Sequence, residues 1–539
     1  MCEHHHHKHF QIFDEKFLMC IAIIGAVCLG EYFEALAVFI LYNLGEFLQD
    51  KAVEKSKKSI SELMDLRPDS ANVFVGSDIV TKSPEEVCVG DIIVVKTGEK
   101  IALDGVVSDG FAFLDTSALT GEVLPKEVKI NDEVLSGCVV TNGVLKIKVT
   151  KTFQQSAVSQ ILELVEHSGA KKSKTENFIT KFARIYTPIV VLLALLIAFI
   201  PPLFLHDSFA EWINRALTLL VISCPCALVI SVPLGFFAGL GKASKNGILI
   251  KGSKYIEALA KAETVVFDKT GTLTKGNFTV EKVVSINGED ILKLAASVEK
   301  YSNHPIAKSI KYDGELFEVS DVSEIAGYGI KAKIGEDEIF IGKNGENAVS
   351  VLKNDVLIGY ITLSDELKSN AEKTISQLKN TVMLSGDTDE NVQKFAQKLG
   401  ITHAFSKLLP QDKVKKLEEI IANASGTVLF VGDGINDAPA LRLADVGISM
   451  GGLGSDSAIE ASDVVIMNDD PYKVVTGIEI AQKTLKIVKQ NIVFAISVKI
   501  IFLLLGIFGF MTMWGAIFAD VGVTLLAVLN SLKLFIQFF

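Results

Sequence analysis

The chain has 539 residues, of which 49% are apolar and 22% are charged, and its formal net charge is −11. This composition excludes a disordered chain and a collagen, and seven scattered cysteines exclude a small disulfide scaffold. The acidic balance argues against a general nucleic-acid-binding surface. A chain this rich in both apolar and charged residues is typical of membrane spans joined to large soluble domains.

Six apolar stretches reach or approach the roughly 20 residues that a membrane helix needs. They cover residues 17–30, 33–48, 185–205, 212–240, 492–510 and 514–538. Lysines cluster where spans meet the two long loops, whereas the links between spans one and two and between spans five and six have no Lys or Arg. The positive-inside rule therefore predicts a six-helix bundle with both termini and both long loops in the cytosol.

The amino-terminal segment, residues 1–16, holds five of the nine histidines, at positions 4–7 and 9. Such a cluster binds divalent metal ions readily, and it could equally be a remnant of cloning. The sequence leaves both explanations open.

The two long loops have different periodicities. The first, about 65–165, alternates apolar and polar residues between Gly, Asp and Asn turns, which predicts a β-rich domain. The second, about 246–480, alternates helical patterns with apolar strands at 265–267, 381–384 and 427–431. This pattern predicts an open α/β sheet with its site at the carboxyl ends of the strands. Residues 277–365 interrupt it and are expected to form an inserted domain.

Polar motifs follow each of these strands. Asp268 begins the run D-K-T-G-T-L-T, and an aspartate at a strand end can act as a nucleophile on a phosphoryl group. Thr270, Ser385 and Gly386 offer hydroxyl or N–H donors to phosphate oxygens. Lys413 could neutralise charge on the transferred group. Each motif alone could be a turn, but four strand-end motifs in this order are hard to explain in that way.

The Gly-rich loop 432–439 completes the set. Asp433 is suited to Mg²⁺, which favours one or two carboxylates together with phosphate oxygens. Asn436 and Asp437 add polar side chains to the same loop.

The last three spans carry residues that are unusual in a membrane. Cys224 and Cys226 flank a proline, which kinks a helix, and their thiolates would be soft ligands for Cu⁺, Zn²⁺ or similar ions. Two buried cysteines acting as small apolar residues are the alternative. Lys499 and Asp520 lie within spans five and six, where ionisable groups are costly and usually functional. A bridge that merely fixes two helices would also explain this pair.

In this order, and with six spans around them, these motifs resemble those of the P-type ATPases. C-P-C together with Lys499 and Asp520 resembles the zinc/cadmium/lead-exporting subclass of the heavy-metal branch. The resemblance implies that ATP phosphorylates Asp268, that Asp268, Thr270 and Asp433 hold Mg²⁺, and that Lys413, Asn436 and Asp437 support the phosphate. Ser385 stands where the family usually has Thr and keeps the hydroxyl.

The resemblance also implies the domain boundaries. Residues 51–180 would hold a β-rich actuator domain with its linkers. A haloacid-dehalogenase-like α/β phosphorylation domain would comprise 246–276 and 366–485, with an α+β nucleotide-binding domain, 277–365, inserted in it. The transmembrane helices would occupy 17–50, 181–245 and 486–539. Compared with the subclass, we expect this chain to lack the usual N-terminal metal-binding domain and first two helices.

Further site residues come from the same resemblance. Glu122, in T-G-E, would orient water, although T-G-E alone is more often a plain turn. The ATP pocket would include Glu299, His304, Gly327 and Gly329. Glu34, near the outer end of the second span, would receive the leaving ion, and a solvated acid at a helix end is nearly as good an explanation.

Together these features predict ATP-driven export of Zn²⁺, Cd²⁺ or Pb²⁺ from the cytosol, with Mg²⁺ as cofactor. We expect a monomer in a lipid bilayer, by analogy a bacterial plasma membrane, with no nucleic-acid partner. Two alternatives remain open at this point. One is a truncated relative that binds metal without transporting it, and the other is a membrane-anchored phosphatase with the same catalytic core.

Overall fold

The computed structural model describes residues 15–30, 68–116, 124–160, 174–223, 226–300, 309–325, 329–344, 348–434, 437–451 and 460–536, with isolated positions between them. The chain divides into two compact units. The first unit contains residues 1–260 and 478–539, and the second contains residues 261–477.

The first unit opens with helix α1, Glu15–Cys28, and continues with a seven-stranded antiparallel sheet. The strand order is β2-β1-β3-β7-β4-β5, and β6 also pairs with β4. The strands are β1 Ala71–Val75, β2 Asp78–Lys82, β3 Ile92–Val95, β4 Gly105–Asp115, β5 Lys126–Val128, β6 Glu133–Val134 and β7 Val139–Val149. Alternate residues of β4 and β7 are buried, as the period-two pattern requires. The β-rich prediction for this loop is confirmed.

Apolar helices follow the sheet. They are α2 Lys174–Leu205, α3 Phe209–Ile222 and α4 Cys226–Lys245, followed by the short strand β8 Ile248–Ile250 and helix α5 Ser253–Ala260. The stretch predicted as one span at 212–240 is two helices, because α3 ends before the C-P-C sequence and α4 begins at its second cysteine. Proline lacks the N–H that would continue a helix through this point.

The second unit contains two sheets. Strand β9, Ala262–Asp268, leads into an antiparallel sheet of six strands in the order β10-β15-β14-β13-β12-β11, with helix α6, Ile291–Glu299, packed on it. The strands are β10 Thr274–Ser285, β11 Ser320–Ile325, β12 Gly329–Ile334, β13 Asp337–Lys343, β14 Ala348–Lys353 and β15 Val356–Leu367. The predicted insertion falls on this sheet, which begins and ends where Thr274 pairs with Leu367.

The chain then returns to the sheet that contains β9. Within the second unit its strands run in the order β17-β16-β9-β18-β19-β20, and all pairs are parallel. The elements are α7 Ala371–Ser376, β16 Thr381–Leu384, α8 Asp389–Leu399, β17 His403–Phe405, α9 Pro410–Asn423, β18 Thr427–Gly432, α10 Ala438–Leu443, β19 Val446–Met450 and β20 Val464–Ile466. Strands β16, β18 and β19 are mostly apolar and buried, and β9 contributes the buried apolar run 265–267, as expected of a buried parallel sheet.

Two long helices end the chain: α11, Tyr472–Ile507, and α12, Met513–Ile536. Among the described residues, three stretches are long and apolar enough to cross a membrane: Ile185–Leu205 in α2, Tyr472–Ile507, and Trp514–Leu534 in α12. Their outer faces expose large apolar side chains, such as Leu192 and Leu203, which lipid would cover. Small residues, including Ala22, Ala194 and Ala516, line the inner packing of α1, α2, α3 and α12.

Candidate functional site

Asp268 ends the central strand of the parallel sheet, and polar loops follow the strands on either side of it. β16 pairs with β9 so that Leu384 stands opposite Asp268, and β18 flanks the other edge of β9. Ser385 and Asp433 therefore begin loops next to Asp268, because parallel strands end at one edge of a sheet. The predicted convergence of strand-end motifs is present in the structure.

Lys413 is the cationic partner of Asp268. Its Nζ lies 3.1 Å from Oδ1 of Asp268, and both side chains are largely buried. Lys413 sits in the first turn of α9, where the N–H of Leu409 donates to Oδ2 of Asp412 at 3.1 Å and fixes the helix start. The Lys413 ammonium group can therefore balance negative charge at the Asp268 carboxylate.

Asp433 and Asp437 place further carboxyl groups near Asp268. Burial, followed by the charges of Asp268 and Asp433, raises the pKa of Asp437 to about 9, and Lys413 opposes this shift. Within the described part of the chain, Oδ2 of Asp437 has no hydrogen-bond partner. The carboxyl groups therefore concentrate negative charge at this site, and one Asp437 oxygen has no hydrogen-bond partner among the described residues. A divalent cation bound nearby would neutralise this charge.

The residues present fit Mg²⁺. The described residues form no complete cage of three or more Asp, Glu, His or Cys ligands. Mg²⁺ commonly binds through one or two carboxylates and fills the rest of its shell with phosphate oxygens and water. Gly271, with a φ of 77°, turns the loop against Asp433, since a Cβ there would stand 2.8 Å from Oδ2 of Asp433. Only glycine allows the backbone at position 271 to approach Asp433 this closely.

A buried ion pair behind the site is absent from the sequence-based prediction. Nζ of Lys269 lies 2.7 Å from Oδ2 of Asp387, and both side chains are almost completely buried. Asp387 also accepts from the N–H of Thr388 at 2.8 Å, and its own N–H donates to Oγ of Ser385 at 3.0 Å. The pair thus ties the Asp268 loop to the Ser385 loop. Each of the two residues is next in sequence to a predicted site residue, and this adjacency could have identified them.

Lys368 is a second residue that sequence reasoning missed. Its Nζ donates to the carbonyl of Gly271 at 3.1 Å and is buried just after β15. Burial lowers the pKa of Lys368, and nearby carboxylates, including Asp469 and Asp433, oppose this effect. Lys368 therefore holds the backbone of the loop that carries Thr270.

Two of the predicted ATP-pocket residues can be located. Glu299 ends α6 and is buried, and Gly329 begins β12. Gly329 has a φ of 150°, and a Cβ there would stand 2.1 Å from the carbonyl oxygen of Ile341. The backbone of the neighbouring strand β13 therefore approaches Gly329 too closely for a side chain at this position.

The predicted Lys499–Asp520 pair is present between α11 and α12. Nζ of Lys499 lies 3.6 Å from Oδ1 of Asp520 and donates to the carbonyl of Ile222 at 3.1 Å. Ile222 is the last residue of α3, immediately before the break at C-P-C. Lys499 therefore joins the charged pair to the carboxyl end of α3, just before C-P-C.

Several predicted positions lie outside the described residues. They are Glu34, Glu122, Cys224, His304, Gly327 and Asn436, and Cys226 is described by its backbone alone.

Comparison with known proteins agrees with this geometry. The family profile of the haloacid dehalogenase-like hydrolases matches residues 262–445, and that of the P-type ATPase actuator domain matches residues 65–166. The cadmium, zinc and cobalt-transporting ATPase of Bacillus subtilis (strain 168) is 49% identical over 553 aligned positions, which cover 97% of this chain and 79% of that protein. The chain belongs to the heavy-metal-transporting P-type ATPases. The resemblance inferred from the motifs is confirmed.

Two further comparisons support the same family assignment. The zinc-transporting ATPase of Synechocystis sp. is 47% identical, with 97% of this chain and 77% of that protein covered. A crystal structure of a zinc-transporting PIB-type ATPase in the E2.Pi state has a TM-score of 0.60 and 34% identity, and covers 97% of this chain and 90% of that one. This P-type ATPase is therefore an ATP-hydrolysing membrane enzyme with an actuator domain and a haloacid-dehalogenase-like domain.

Proposed function

We propose that this P-type ATPase exports a divalent heavy-metal ion, Zn²⁺ or Cd²⁺, from the cytosol, with Pb²⁺ as a third candidate. The observation that carries the proposal is the Lys499–Asp520 pair at the carbonyl of Ile222. Ionisable groups inside a membrane helix bundle are costly, and a phosphatase that only needs an anchor has no use for them. The names of the relatives, which state cadmium, zinc and cobalt or zinc transport, support the same ions.

Asp268 is the nucleophile of the proposed cycle. One carboxylate oxygen forms a bond to the γ-phosphorus of ATP, and the bond from that phosphorus to the bridging oxygen of ADP breaks. Lys413, 3.1 Å from Asp268, balances charge on the transferred group. The Ser385 hydroxyl and the Gly386 N–H would donate to its oxygens. Mg²⁺, held by Asp433, Asp268 and Thr270, would supply charge neutralisation to the phosphate oxygens.

Later steps fall to residues around this centre. Glu122 would orient the water that attacks the aspartyl-phosphate, and Asn436 and Asp437 would support the phosphate. ATP itself would lie on the inserted domain beside Glu299, His304, Gly327 and Gly329, which gives that domain its nucleotide-binding role.

The transported ion would bind between the helices around the break. Thiolates of Cys224 and Cys226 with the carboxylate of Asp520 suit a divalent ion better than Cu⁺. Lys499, already next to Asp520, would repel the bound ion or replace its charge after release. Glu34 would receive the ion on its way out.

The finer topology follows the same proposal. Six helices would cross the membrane, with both termini and both long loops in the cytosol of a bacterial cell. The domain boundaries given by the resemblance would hold, and the pump would act as a monomer.

ATP hydrolysis by the purified chain in lipid tests the proposal. We expect Zn²⁺, Cd²⁺ or Pb²⁺, but not Cu⁺, to stimulate hydrolysis in the presence of Mg²⁺. Asp268→Asn and the double variant Cys224→Ser/Cys226→Ser should abolish the stimulation. Hydrolysis at the same rate with and without these metals would favour the anchored phosphatase. A metal-stimulated phosphoenzyme without metal uptake into vesicles would favour the non-transporting relative.

A further inference from the structure

A second polar cluster joins the helices of the transport site, and none of its members belongs to the motifs described above. Nδ2 of Asn491 on α11 donates to Oγ of Ser531 at 2.9 Å and to the carbonyl of Ala527 at 3.2 Å, both on α12. Oδ1 of Asn491 accepts from Nδ2 of Asn530 at 2.8 Å. Asn491 and Ser531 are fully buried. The Asn491 amide thus uses both donors and its acceptor on one neighbouring helix.

The cluster also reaches the helix that follows C-P-C. The Ser531 hydroxyl lies 3.3 Å from the carbonyl of Ser231 on α4 and 3.1 Å from the carbonyl of Ala527, so its single proton is divided between them. Ser231 follows Cys226 by five residues, which is about 7.5 Å along a helix. The contact therefore lies little more than one turn from the cysteine.

Close backbone packing surrounds the same contact. Gly235 and Gly239, four residues apart on α4, face α11. A Cβ on Gly235 would stand 2.9 Å from Val488, and one on Gly239 would stand 2.4 Å from Thr484. The α11 side chains therefore occupy the space that a Cβ at either glycine would need, and α4 packs its glycine backbone against them. A shift of α4 along α11 would then cause steric overlap and would also break the hydrogen bonds.

The two interhelical connections form a pair around the break. Lys499 donates to the carbonyl of Ile222, before C-P-C, and Ser531 donates to the carbonyl of Ser231, after it. Asn491 precedes Lys499 by eight residues, about 12 Å along α11. Chain segment 222–231 is therefore held at both ends by side chains from α11 and α12.

From this juxtaposition we infer that Asn491 and Ser531 are positioning residues of the transport site. They fix the register of α4 against α12 next to the C-P-C break, and so set where the backbone of α4 begins relative to the Lys499–Asp520 pair. A fully satisfied buried polar network specifies one packing arrangement, because any other leaves polar groups without partners in an apolar interior. This inference rests on the proposed function, since it assigns the network to the binding of the exported ion.

Zn²⁺ binding to the full-length chain in lipid tests the inference. Asn491→Leu keeps the approximate size of the side chain and removes its hydrogen bonds, and Ser531→Ala removes only the hydroxyl. We expect both to weaken Zn²⁺ binding, measured by competition with a chromophoric chelator without ATP, by at least about fivefold, the size of effect that one or two interhelical hydrogen bonds give. The Zn²⁺ concentration for half-maximal ATPase should rise equally, while the KM for ATP and phosphorylation by inorganic phosphate stay unchanged.

Two further variants serve as controls. Ser531→Thr keeps the hydroxyl and should retain Zn²⁺ binding. Thr218→Val removes another buried hydroxyl, which donates to the carbonyl of Asn214 within its own helix at 2.9 Å, and should leave Zn²⁺ binding unchanged. If Asn491→Leu does not fold, the Ser531→Ala and Ser531→Thr pair is sufficient.

Two results would overturn the inference while leaving the proposed function in place. One is unchanged Zn²⁺ binding in both Asn491→Leu and Ser531→Ala. The other is an equal loss of Zn²⁺ binding, ATP binding and thermal stability, which would make the network a general clasp between helices. A wild-type chain that neither binds Zn²⁺ nor is stimulated by it would instead overturn the proposed function, and the inference with it.

Discussion

Nζ of Lys413 lies 3.1 Å from Oδ1 of Asp268, although 145 residues separate the two in the chain. α9 brings the ammonium group to the end of β9, and Asp433 and Asp437 place further carboxyl groups near Asp268. The nucleophile therefore has both a cation and further carboxyl groups around it, a charge distribution that binding of a phosphoryl group with a divalent cation would complete.

Lys413→Met should lower the rate of phosphoenzyme formation from ATP by about 100-fold, the usual effect of removing one group that stabilises transition-state charge. Acid-stable labelling with radioactive ATP measures this rate. Lys416→Met is the matched control on the same helix, because Lys416 pairs with Glu419 at 3.2 Å and stacks on Phe405 away from Asp268. Equal labelling rates in wild type and Lys413→Met would contradict the assigned role.

The buried Lys269–Asp387 pair should behave as one unit. Lys269→Met or Asp387→Leu alone leaves an uncompensated buried charge, which typically costs about 3–5 kcal/mol. The double variant Lys269→Met/Asp387→Leu should therefore have a higher thermal unfolding midpoint than either single variant. Midpoints of the purified protein in detergent measure this.

A surface pair gives the comparison. Lys275 lies 3.3 Å from Glu366, and both side chains are well exposed, so Lys275→Met should change the midpoint little. A double variant of the buried pair whose loss equals the sum of the two single losses would show that Lys269 and Asp387 act independently.

Mg²⁺ affinity should depend on pH through Asp437. Because its pKa is raised to about 9, this carboxyl holds a proton at pH 7, and a cation bound to the neighbouring Asp268 and Asp433 would favour release of that proton. The apparent affinity for Mg²⁺ should therefore rise as the pH increases from about 6 towards 9, by at most about tenfold per pH unit. The Mg²⁺ concentration for half-maximal phosphorylation by inorganic phosphate measures this. Asp437→Asn should flatten the dependence, and an unchanged slope in that variant would contradict the assignment.

Lys499→Ala should alter ion release. With the ammonium gone, no fixed cation competes with the ion beside Asp520 or replaces its charge after release, so we expect tighter Zn²⁺ binding and slower turnover. Equilibrium Zn²⁺ binding and the metal-stimulated ATPase rate measure these two quantities. Lys533→Ala, at an exposed position near the end of α12, is the control. Transport by Lys499→Ala at unchanged affinity and rate would refute the counter-charge role.

Local patterns in the sequence were sufficient to predict much of this architecture. Alternation predicted the antiparallel sheet of β1–β7, and apolar runs ending in polar motifs placed Asp268, Ser385 and Asp433 at one sheet edge. Such features depend on a few neighbouring residues, so a single sequence contains them. The interruption of the span at 212–240 was also predicted, because the proline of C-P-C lies inside that apolar run and is expected to kink the helix.

Contacts between distant residues were harder to predict. Lys269 and Asp387 are 118 residues apart, and Lys368 and Gly271 are 97 residues apart. Nothing local distinguishes these lysines from solvated ones, because their burial arises only when separate strands and loops assemble. The Lys499–Asp520 pair could be predicted from the sequence because a charged residue inside an apolar run is itself unusual.

Ion uptake by sealed proteoliposomes tests whether this P-type ATPase transports Zn²⁺ across a membrane. Vesicles that contain the purified chain and a trapped fluorescent Zn²⁺ indicator would receive Zn²⁺ and Mg-ATP from outside, so that only molecules with outward-facing nucleotide domains are active. We expect ATP-dependent accumulation of Zn²⁺ inside, abolished by Asp268→Asn and by Cys224→Ser/Cys226→Ser. Zn²⁺-stimulated ATP hydrolysis without any accumulation in the same vesicles would contradict it.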